Sequence, residues 1–271
     1  MYNESTETKS NGQKTLETST KITLIAGPMC AGKSAELIEM ITRLERANRK
    51  YICFRPESSK RKNDDTAHIT SRSKELSVKA DFLKNEFDAN KMTKTIDNYD
   101  VFIFDEIHFL DLNSIKNFVQ KCIETHKKKE IIFAGLDMDF QGEKFEQFEY
   151  ISTIAQEKIL LTADCSVKDC ENEATHSAKI GGNHKQKLEA GAGMYKACCY
   201  PHWKFLNRLL NVKVADDQIL EEKYLSESEK LENMYKASDS VVMKFQKNAK
   251  TKEVEAKLEF NKNDHTCVQI E

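Results

Sequence analysis

Residues 22–34, ITLIAGPMCAGKS, constrain the fold more than any other stretch of this chain. A run of apolar, mostly β-branched residues ends in a glycine turn, which closes with Gly32, Lys33 and Ser34. The segment that follows has apolar residues at helical spacing, namely Leu37, Ile38, Ile41 and Leu44. The pattern G-x-x-x-x-G-K-S therefore lies between a buried strand and an amphipathic helix, which is the context of a phosphate-binding loop.

Each residue type in this pattern suits phosphate binding. Gly27 and Gly32 let the backbone bend so that successive N–H groups point at phosphate oxygens, and the helix N-terminus adds partial positive charge. Lys33 reaches the β- and γ-phosphates, and the Ser34 hydroxyl can ligate Mg²⁺. We predict that the chain binds a nucleoside triphosphate. The predicted phosphate loop consists of Gly27, Pro28, Met29, Cys30, Ala31, Gly32, Lys33 and Ser34.

A second signal is the stretch DVFIFDEIHFL at residues 100–110. Four consecutive apolar residues predict a strand buried on both faces, as in parallel sheets. Asp105 and Glu106 follow directly, at the carboxyl end where α/β sheets bind their ligands. Asp105 is the expected second anchor for Mg²⁺, and Glu106 is a candidate general base.

Further strands are predicted at residues 50–54, 130–136 and 158–162, alternating with helices such as the one over residues 112–127. This alternation predicts an α/β fold with a parallel sheet of four or five strands. Residues 57–73 are polar and basic without periodicity, so we predict a mobile surface loop, long enough to act as a lid, in which Arg61 or a neighbouring residue approaches the triphosphate. Aromatic residues after residue 135, including Phe140 and Phe145, would either sandwich a flat base or pack in the core.

Composition limits the function classes. The 42 basic and 44 acidic residues give a net charge of −2, which indicates no dedicated nucleic-acid or membrane surface. Charged residues make up 32% of the chain and mean hydropathy is −0.64, so part of the chain is expected to be disordered. We expect a cytoplasmic protein, because the chain has no apolar run of about 20 residues and its N-terminus has no secretory h-region.

Cysteine spacing predicts a zinc site. Cys165 and Cys170 form one close pair, and Cys199 and His202 form a second. Four ligands without an open coordination position indicate structural rather than catalytic zinc. Cys198 is an alternative to Cys199, because the string CCYPH alone does not decide between them.

These motifs, in this order, resemble those of the cellular, zinc-containing thymidine kinases. GPMCAGKS is similar to that family's glycine loop, DEIHF to its acidic motif, and LDMDFQGEKF to its aromatic stretch. The paired zinc ligands with a preceding tyrosine also match. The resemblance covers roughly residues 22–205. It implies ATP-dependent phosphorylation of the 5′-hydroxyl of thymidine, and also of deoxyuridine, by a homotetramer acting in nucleotide salvage for DNA synthesis.

The resemblance also implies roles for individual residues. Glu106 matches the catalytic base. Further contacts to ATP are implied for Ser59, Lys60, Arg61, Asp105, Ile107 and His108, the last standing where a Gln is common. Nucleoside contacts are implied for Phe140, Phe145, Gln186, Lys187, Leu188, Glu189, Ala190 and Tyr195. The stretch at residues 186–190 belongs to a zinc-anchored lasso that binds the base largely through backbone groups.

The chain thus divides into a disordered arm at residues 1–20, a kinase domain at 21–162, a lasso domain at 163–207 and a disordered tail at 208–271. Two other functions remain open on the sequence. One is a remodelling or repair ATPase whose zinc element grips nucleic acid, which would need a basic face. The other is a non-catalytic nucleotide sensor that regulates a partner through its charged tail.

Overall fold

A computed structural model of the chain describes residues 20–60, 67–71, 76–179, 194–210, 241–247 and 254–260. For residues 208–210 and for the last two ranges it describes the backbone alone. Residues 1–19 of the predicted arm and much of the predicted tail lie outside these ranges.

Helices and strands alternate over most of the chain. In chain order the elements are β1 (Thr20–Ala26), α1 (Lys33–Arg46), β2 (Tyr51–Pro56), β3 (His68–Ser71), β4 (Leu76–Lys79), β5 (Asp81–Leu83), α2 (Thr93–Asn98), β6 (Val101–Phe104), α3 (Leu112–Glu124), β7 (Lys129–Gly135), α4 (Glu146–Ile154), β8 (Glu157–Leu160), β9 (Ala163–Asp164), β10 (Glu173–Ala174), β11 (His176–Lys179), β12 (Tyr195–Cys198), α5 (Tyr200–Leu210), β13 (Val241–Lys247) and β14 (Val254–Phe260). Short 3₁₀ turns occur at Glu57–Ser59, Ala89–Met92 and Ile107–Phe109.

The central sheet has six strands in the order β5-β2-β6-β7-β1-β8. Every pair of neighbours in it is parallel. The prediction of an α/β fold with a parallel sheet is therefore confirmed. The sixth strand is β5, a three-residue edge strand that pairs with β2 and has too few residues to show a pattern in sequence.

The sheet is buried on both faces because helices cover each side. Within β6, Phe102 and Phe104 join the core cluster that includes α3, whereas Val101 and Ile103 join the cluster that includes α1. This alternation follows from the two-residue period of a strand. Each fully buried Phe contributes about 1.5–3 kcal/mol through removal of apolar surface from water. Packing on both faces fixes the carboxyl edge of the sheet, where the site lies.

The segment after β2 contains more regular structure than predicted. The prediction of a loop without secondary structure at residues 57–73 was wrong for His68–Ser71, because these residues form β3 and pair antiparallel with β4. Ile69 of β3 is 0% exposed and packs in the α1 cluster. This strand is stabilised by burial against α1, which is distant in sequence, and not by a local pattern of apolar residues. Residues 61–66, with Arg61, lie outside the described residues.

Beyond the sheet, short antiparallel pairs replace parallel strands. β9 pairs with β10, and β11 pairs with β12, which leads directly into α5. The prediction of no regular structure after residue 208 was wrong for β13 and β14, which pair over their full length. The alternating sequence VEAKLEF of β14 is typical of a strand. Among the described residues, no helix is long and apolar enough to cross a membrane.

Candidate active site

The phosphate loop, residues 27–34, connects β1 to α1 at the carboxyl edge of the sheet. Gly27 has φ 153° and Gly32 has φ 81°, so both have backbone conformations that side chains disfavour. A Cβ at Gly27 would lie 2.2 Å from the carbonyl oxygen of Leu161, just beyond β8. Pro28 is buried, whereas Cys30 is exposed and has φ 64°. The backbone conformation therefore favours glycine at both positions, and the close approach of Leu161 adds a second reason at Gly27.

Lys33 lies across this loop. Its Nζ donates hydrogen bonds to the carbonyl oxygens of Gly27, at 3.0 Å, and Pro28, at 2.6 Å. Burial lowers the pKa of Lys33, and the negative charges of Glu106, Asp105 and Asp137 oppose that lowering. The ammonium group thus shares one site with the carboxylates that follow β6 and β7.

Asp105 and Glu106 lie directly after β6. The backbone N–H of Asp105 donates to the carbonyl of Phe54 at 3.0 Å, and that of Glu106 donates to Asp105 Oδ1 at 3.0 Å. Burial, and then the charge of Glu106, raise the pKa of Asp105 to about 7. Glu106 has φ 54°, a left-handed conformation that costs a non-glycine residue about 1–2 kcal/mol. The next residue, Ile107, is buried in the core.

Both ring nitrogens of His108 lie close to polar groups. Nδ1 accepts a hydrogen bond from the backbone N–H of Leu136 at 3.2 Å, and Nε2 lies 3.4 Å from Glu106 Oε2. The rings of Phe109 and Phe145 lie 4.5 and 5.3 Å away, centroid to centroid. Burial lowers the pKa of His108 to about 4, so the ring is neutral at pH 7. Because Nδ1 accepts, the proton of the neutral ring is on Nε2, the nitrogen near Glu106.

Arg55 is a site residue that the sequence analysis missed. It is buried at the carboxyl end of β2, next to β6, and its charge lowers the pKa of Asp105. Its guanidinium donates to the carbonyl oxygens of Ser59, at 3.0 Å, and His68, at 3.1 Å. It therefore ties the segment after β2 to the acidic pair. Lys60 is exposed, with Nζ 5.2 Å from the ring centroid of Phe82.

The predicted nucleoside contacts Phe140 and Tyr195 lie beside one buried lysine. Lys179 of β11 has Nζ 5.3 Å from the Phe140 ring centroid and 5.6 Å from that of Tyr195. The carbonyl oxygen of Phe140 accepts hydrogen bonds from Trp203 Nε1 at 2.9 Å and Asn207 Nδ2 at 2.8 Å. Helix α5 therefore holds the loop after β7. Sequence analysis named neither Lys179 nor Trp203.

Two further contacts join the parallel sheet to the later hairpins. The backbone N–H of Met29, inside the phosphate loop, donates to Ser177 Oγ of β11 at 2.9 Å. A Cβ at Gly142 would lie 2.9 Å from the ring of Trp203, so the loop after β7 packs closely on α5. Ser177 has no sequence signal, because a serine in a strand is uninformative until its neighbour is known.

The predicted zinc ligands come together in space. The ligand atoms of Cys165, Cys170, Cys199 and His202 all lie within 4.8 Å of one another. Cys199 Sγ is 3.2 Å from His202 Nδ1 and 3.9 Å from Cys170 Sγ, and Cys165 Sγ is 3.3 Å from His202 Nδ1. These separations fit the edges of a tetrahedron around a metal at Zn–S and Zn–N bond lengths. The four residues could hold a zinc ion.

Neighbouring groups favour the thiolate form of Cys165, which is the form that binds metal. A hydrogen bond with Cys198 lowers the pKa of Cys165 to about 3, and the N–H of Cys199 adds to this effect. The spatial group contains Cys199 rather than Cys198. Cys198 instead lies buried beside Cys165.

The remaining predicted contacts lie outside the described residues. These are Arg61, Gln186, Lys187, Leu188, Glu189 and Ala190. Their predicted roles stay predictions.

Comparison with known proteins gives a consistent result. A family model described as thymidine kinase matches residues 20–203. The chain is 34% identical over 197 residues to a thymidine kinase of Ureaplasma parvum serovar 3, covering 69% of this chain and 84% of that protein. It is 32% identical over 204 residues to a thymidine kinase of Mycoplasmoides gallisepticum, with coverage of 70% and 84%. The matched residues include the phosphate loop, the acidic pair and the four candidate zinc ligands.

Proposed function

Because the chain belongs to the thymidine kinase family, we propose that it transfers the γ-phosphate of ATP to the 5′-hydroxyl of thymidine, and also of deoxyuridine. The product from thymidine is dTMP, which feeds DNA synthesis by nucleotide salvage. The observation that carries the proposal is the carboxyl edge of the sheet, where Lys33 lies near enough to Asp105 and Glu106 for their charges to act on its pKa. Such an edge can hold a triphosphate against an acid–base group.

The phosphate loop binds the triphosphate. Its N–H groups and the ammonium of Lys33 contact phosphate oxygens, and positioning of this kind supplies most of the catalysis in phosphoryl transfer. Ser59, Lys60 and Arg61 contact the phosphates from the segment after β2. Arg55 stabilises that segment through its hydrogen bond to the Ser59 carbonyl.

Ser34 and Asp105 are the residues that would hold Mg²⁺. The donor set fits a hard cation, since a hydroxyl and a carboxylate are oxygen ligands. Asp105 is buried beside a second carboxylate, and its pKa is raised to about 7, so a nearby cation would stabilise its charged form. When bound with ATP, Mg²⁺ supplies positive charge that offsets the phosphate oxygens.

Glu106 acts as the general base. Its carboxylate accepts the proton of the 5′-hydroxyl as the oxygen attacks the γ-phosphorus and the bond from that phosphorus to the leaving ADP breaks. Positioned bases contribute about 10²–10⁴-fold to rate. Ile107 and His108 complete the turn that carries this carboxylate.

The nucleoside lies on the side formed by the loop after β7 and by the β11–β12 hairpin. Phe140, Phe145 and Tyr195 contact it, and Lys179 holds two of these rings in place. Residues 186–190 bind the base through their backbone. Residues 21–162 form the kinase domain and residues 163–207 the lasso domain.

Zinc has a structural role in this proposal. Cys165, Cys170, Cys199 and His202 would hold one Zn²⁺, and together they would join the loop between β9 and β10 to the start of α5. We also propose that the protein is a homotetramer and that it is cytoplasmic. Cysteines that serve as reduced metal ligands are consistent with a reducing compartment.

A substrate-dependence assay tests the function. The purified full-length chain is incubated with ATP and Mg²⁺ in the presence of thymidine, of deoxycytidine or of no nucleoside, and ADP formation is followed. Thymidine-dependent ADP formation with matching dTMP is expected. Equal ADP formation in all three reactions would indicate a nucleoside-independent ATPase, and none in any reaction would indicate a non-catalytic nucleotide binder.

A further inference from the structure

We propose that His108 is a positioning residue that holds Glu106 in its reactive orientation through a neutral imidazole bridge from the backbone of β7. The inference rests on the proposed function, since it deepens the role of Glu106. It differs from the role that the family resemblance implies for this position, which is contact with ATP.

The first support is the pair of contacts made by the two ring nitrogens. The Leu136 N–H donates a hydrogen bond to Nδ1, so the proton of the neutral ring is on Nε2, which lies 3.4 Å from Glu106 Oε2. One imidazole therefore connects a rigid strand end to the carboxylate. A protonated ring could not accept from Leu136, and burial keeps the pKa of His108 near 4.

The second support is the space built around the ring. His108 is 3% exposed and lies between the rings of Phe109 and Phe145. Gly135 leaves room for it, because a Cβ there would lie 3.2 Å from His108 Nδ1 and 2.6 Å from a side-chain carbon of Ile107. The imidazole therefore has a fixed position, and its contact with Glu106 restricts the position of that carboxylate.

The third support is the backbone of Glu106. Its left-handed φ of 54° is a strained conformation for glutamate. Such a conformation persists only when contacts with neighbouring residues stabilise it. Among the described residues, the polar side-chain group close to the Glu106 carboxylate is Nε2 of His108. Loss of that contact would leave the base free to sample other rotamers.

The test compares His108→Leu, His108→Gln and His108→Asn. Leu keeps apolar volume but forms neither hydrogen bond, whereas the Gln amide can both accept from Leu136 N–H and donate to Glu106. Asn has the same amide on a shorter side chain. We expect kcat to fall by about 10–10²-fold in His108→Leu and His108→Asn, as for other small misplacements of a reacting group. His108→Gln should recover most of the rate, and KM for ATP should stay nearly unchanged throughout.

A double-mutant cycle with Glu106→Gln makes the test specific. If His108 acts through Glu106, then His108→Leu causes no further loss of kcat in the Glu106→Gln background. Independent, multiplicative losses would overturn the inference, as would a full rate in His108→Leu or an effect confined to KM for ATP. His126→Gln, an exposed histidine after α3, is the matched control and should behave as wild type.

Two further measurements separate failure modes. Thermal unfolding of each variant shows whether the protein is folded, and if His108→Leu is not, the Gln and Asn pair decides. Nitrogen NMR of labelled histidine should show Nε2 protonated and Nδ1 unprotonated at pH 7, and the opposite tautomer would overturn the inference. A wild-type chain without thymidine-dependent turnover would instead refute the proposed function.

Discussion

The phosphate side and the nucleoside side of this molecule are stabilised by different kinds of interaction. The phosphate loop, Asp105 and Glu106 extend from strands that are buried on both faces of a parallel sheet. Tyr195 and Lys179 extend instead from a two-stranded hairpin next to a group of three cysteines and a histidine. The first side owes its geometry to apolar burial, which is spread over many residues. The second concentrates its stability in four ligand atoms.

This difference predicts how each side fails. A sheet loses stability in steps of a few kcal/mol as single side chains are truncated. A metal-dependent hairpin loses its order when one ligand is removed, because metal affinity and folding free energy are then the same quantity. Substitutions in the two regions should therefore have separable effects on ATP binding and on nucleoside phosphorylation.

The largest expected effect comes from Cys170→Ser. We expect zinc content to fall from about one ion per chain to nearly none, because structural zinc sites are worth about 10–16 kcal/mol of apparent binding free energy. Thymidine phosphorylation should be lost while ATP still binds. Metal analysis, a thymidine phosphorylation assay and ATP titration measure the three quantities. Cys122→Ala, which alters a buried cysteine of α3, should keep its zinc. A metal-free variant with full activity would contradict the structural role of zinc.

Glu106→Gln should be next in size. It keeps the shape of the base but removes its charge, so kcat should fall by about 10²–10⁴-fold. ATP affinity should be nearly unchanged, because Lys33 and the phosphate loop remain. Steady-state kinetics and ATP titration check both expectations, and Glu86→Gln, on an exposed glutamate, is the control. Parallel loss of turnover and ATP binding would assign Glu106 to binding rather than to proton transfer.

Ile69→Ala tests the strand that sequence analysis missed. Ile69 is 0% exposed in β3, so its truncation should lower the free energy of unfolding by about 2–5 kcal/mol. Leu76→Ala, in the partner strand β4, alters a side chain that is 46% exposed and should cost less than about 0.5 kcal/mol. Urea denaturation of both variants measures the difference. Equal effects would mean that β3 is not packed against α1.

The smallest effect is expected where the two regions meet. Ser177→Ala removes the acceptor of the Met29 N–H and should lower the free energy of unfolding by about 0.5–1.5 kcal/mol, the usual net value of one hydrogen bond. If the same energy is lost from the transition state, kcat/KM for thymidine falls by up to about tenfold. Ser177→Thr keeps the hydroxyl and should restore the value. If both variants match wild type, the contact does not couple the two sides.

Local patterns predicted the parts of the fold that are encoded locally. The apolar run before Gly27, the strand before Asp105 and the spacing of the cysteine pairs each define a structure within a few residues. The positions of Asp105 and Glu106 at one sheet edge with Lys33 then followed from the general rule for parallel sheets.

The remainder depends on contacts between distant segments. Ile69 is in a strand because α1 covers it, and the surrounding sequence is too polar to show this. Arg55 is notable only because β2 lies beside β6, which places its charge near Asp105. The orientation of His108 depends on Leu136, 28 residues later. None of these relations has a spacing rule, so the sequence predicted none of them.

The close approach at Gly27 has a consequence for replacing the nucleoside side of this kinase with that of another. A chimera that exchanged residues 163–207 would retain Gly27 against the Leu161 carbonyl, two residues before the junction. The new segment would need a hydroxyl at position 177 to face Met29 and an indole at position 203 to cover Gly142. A donor sequence chosen only for matching zinc ligands need not supply either group. The design of such a chimera should therefore first match the contacts between residues 163–207 and the rest of the chain, and then the metal site.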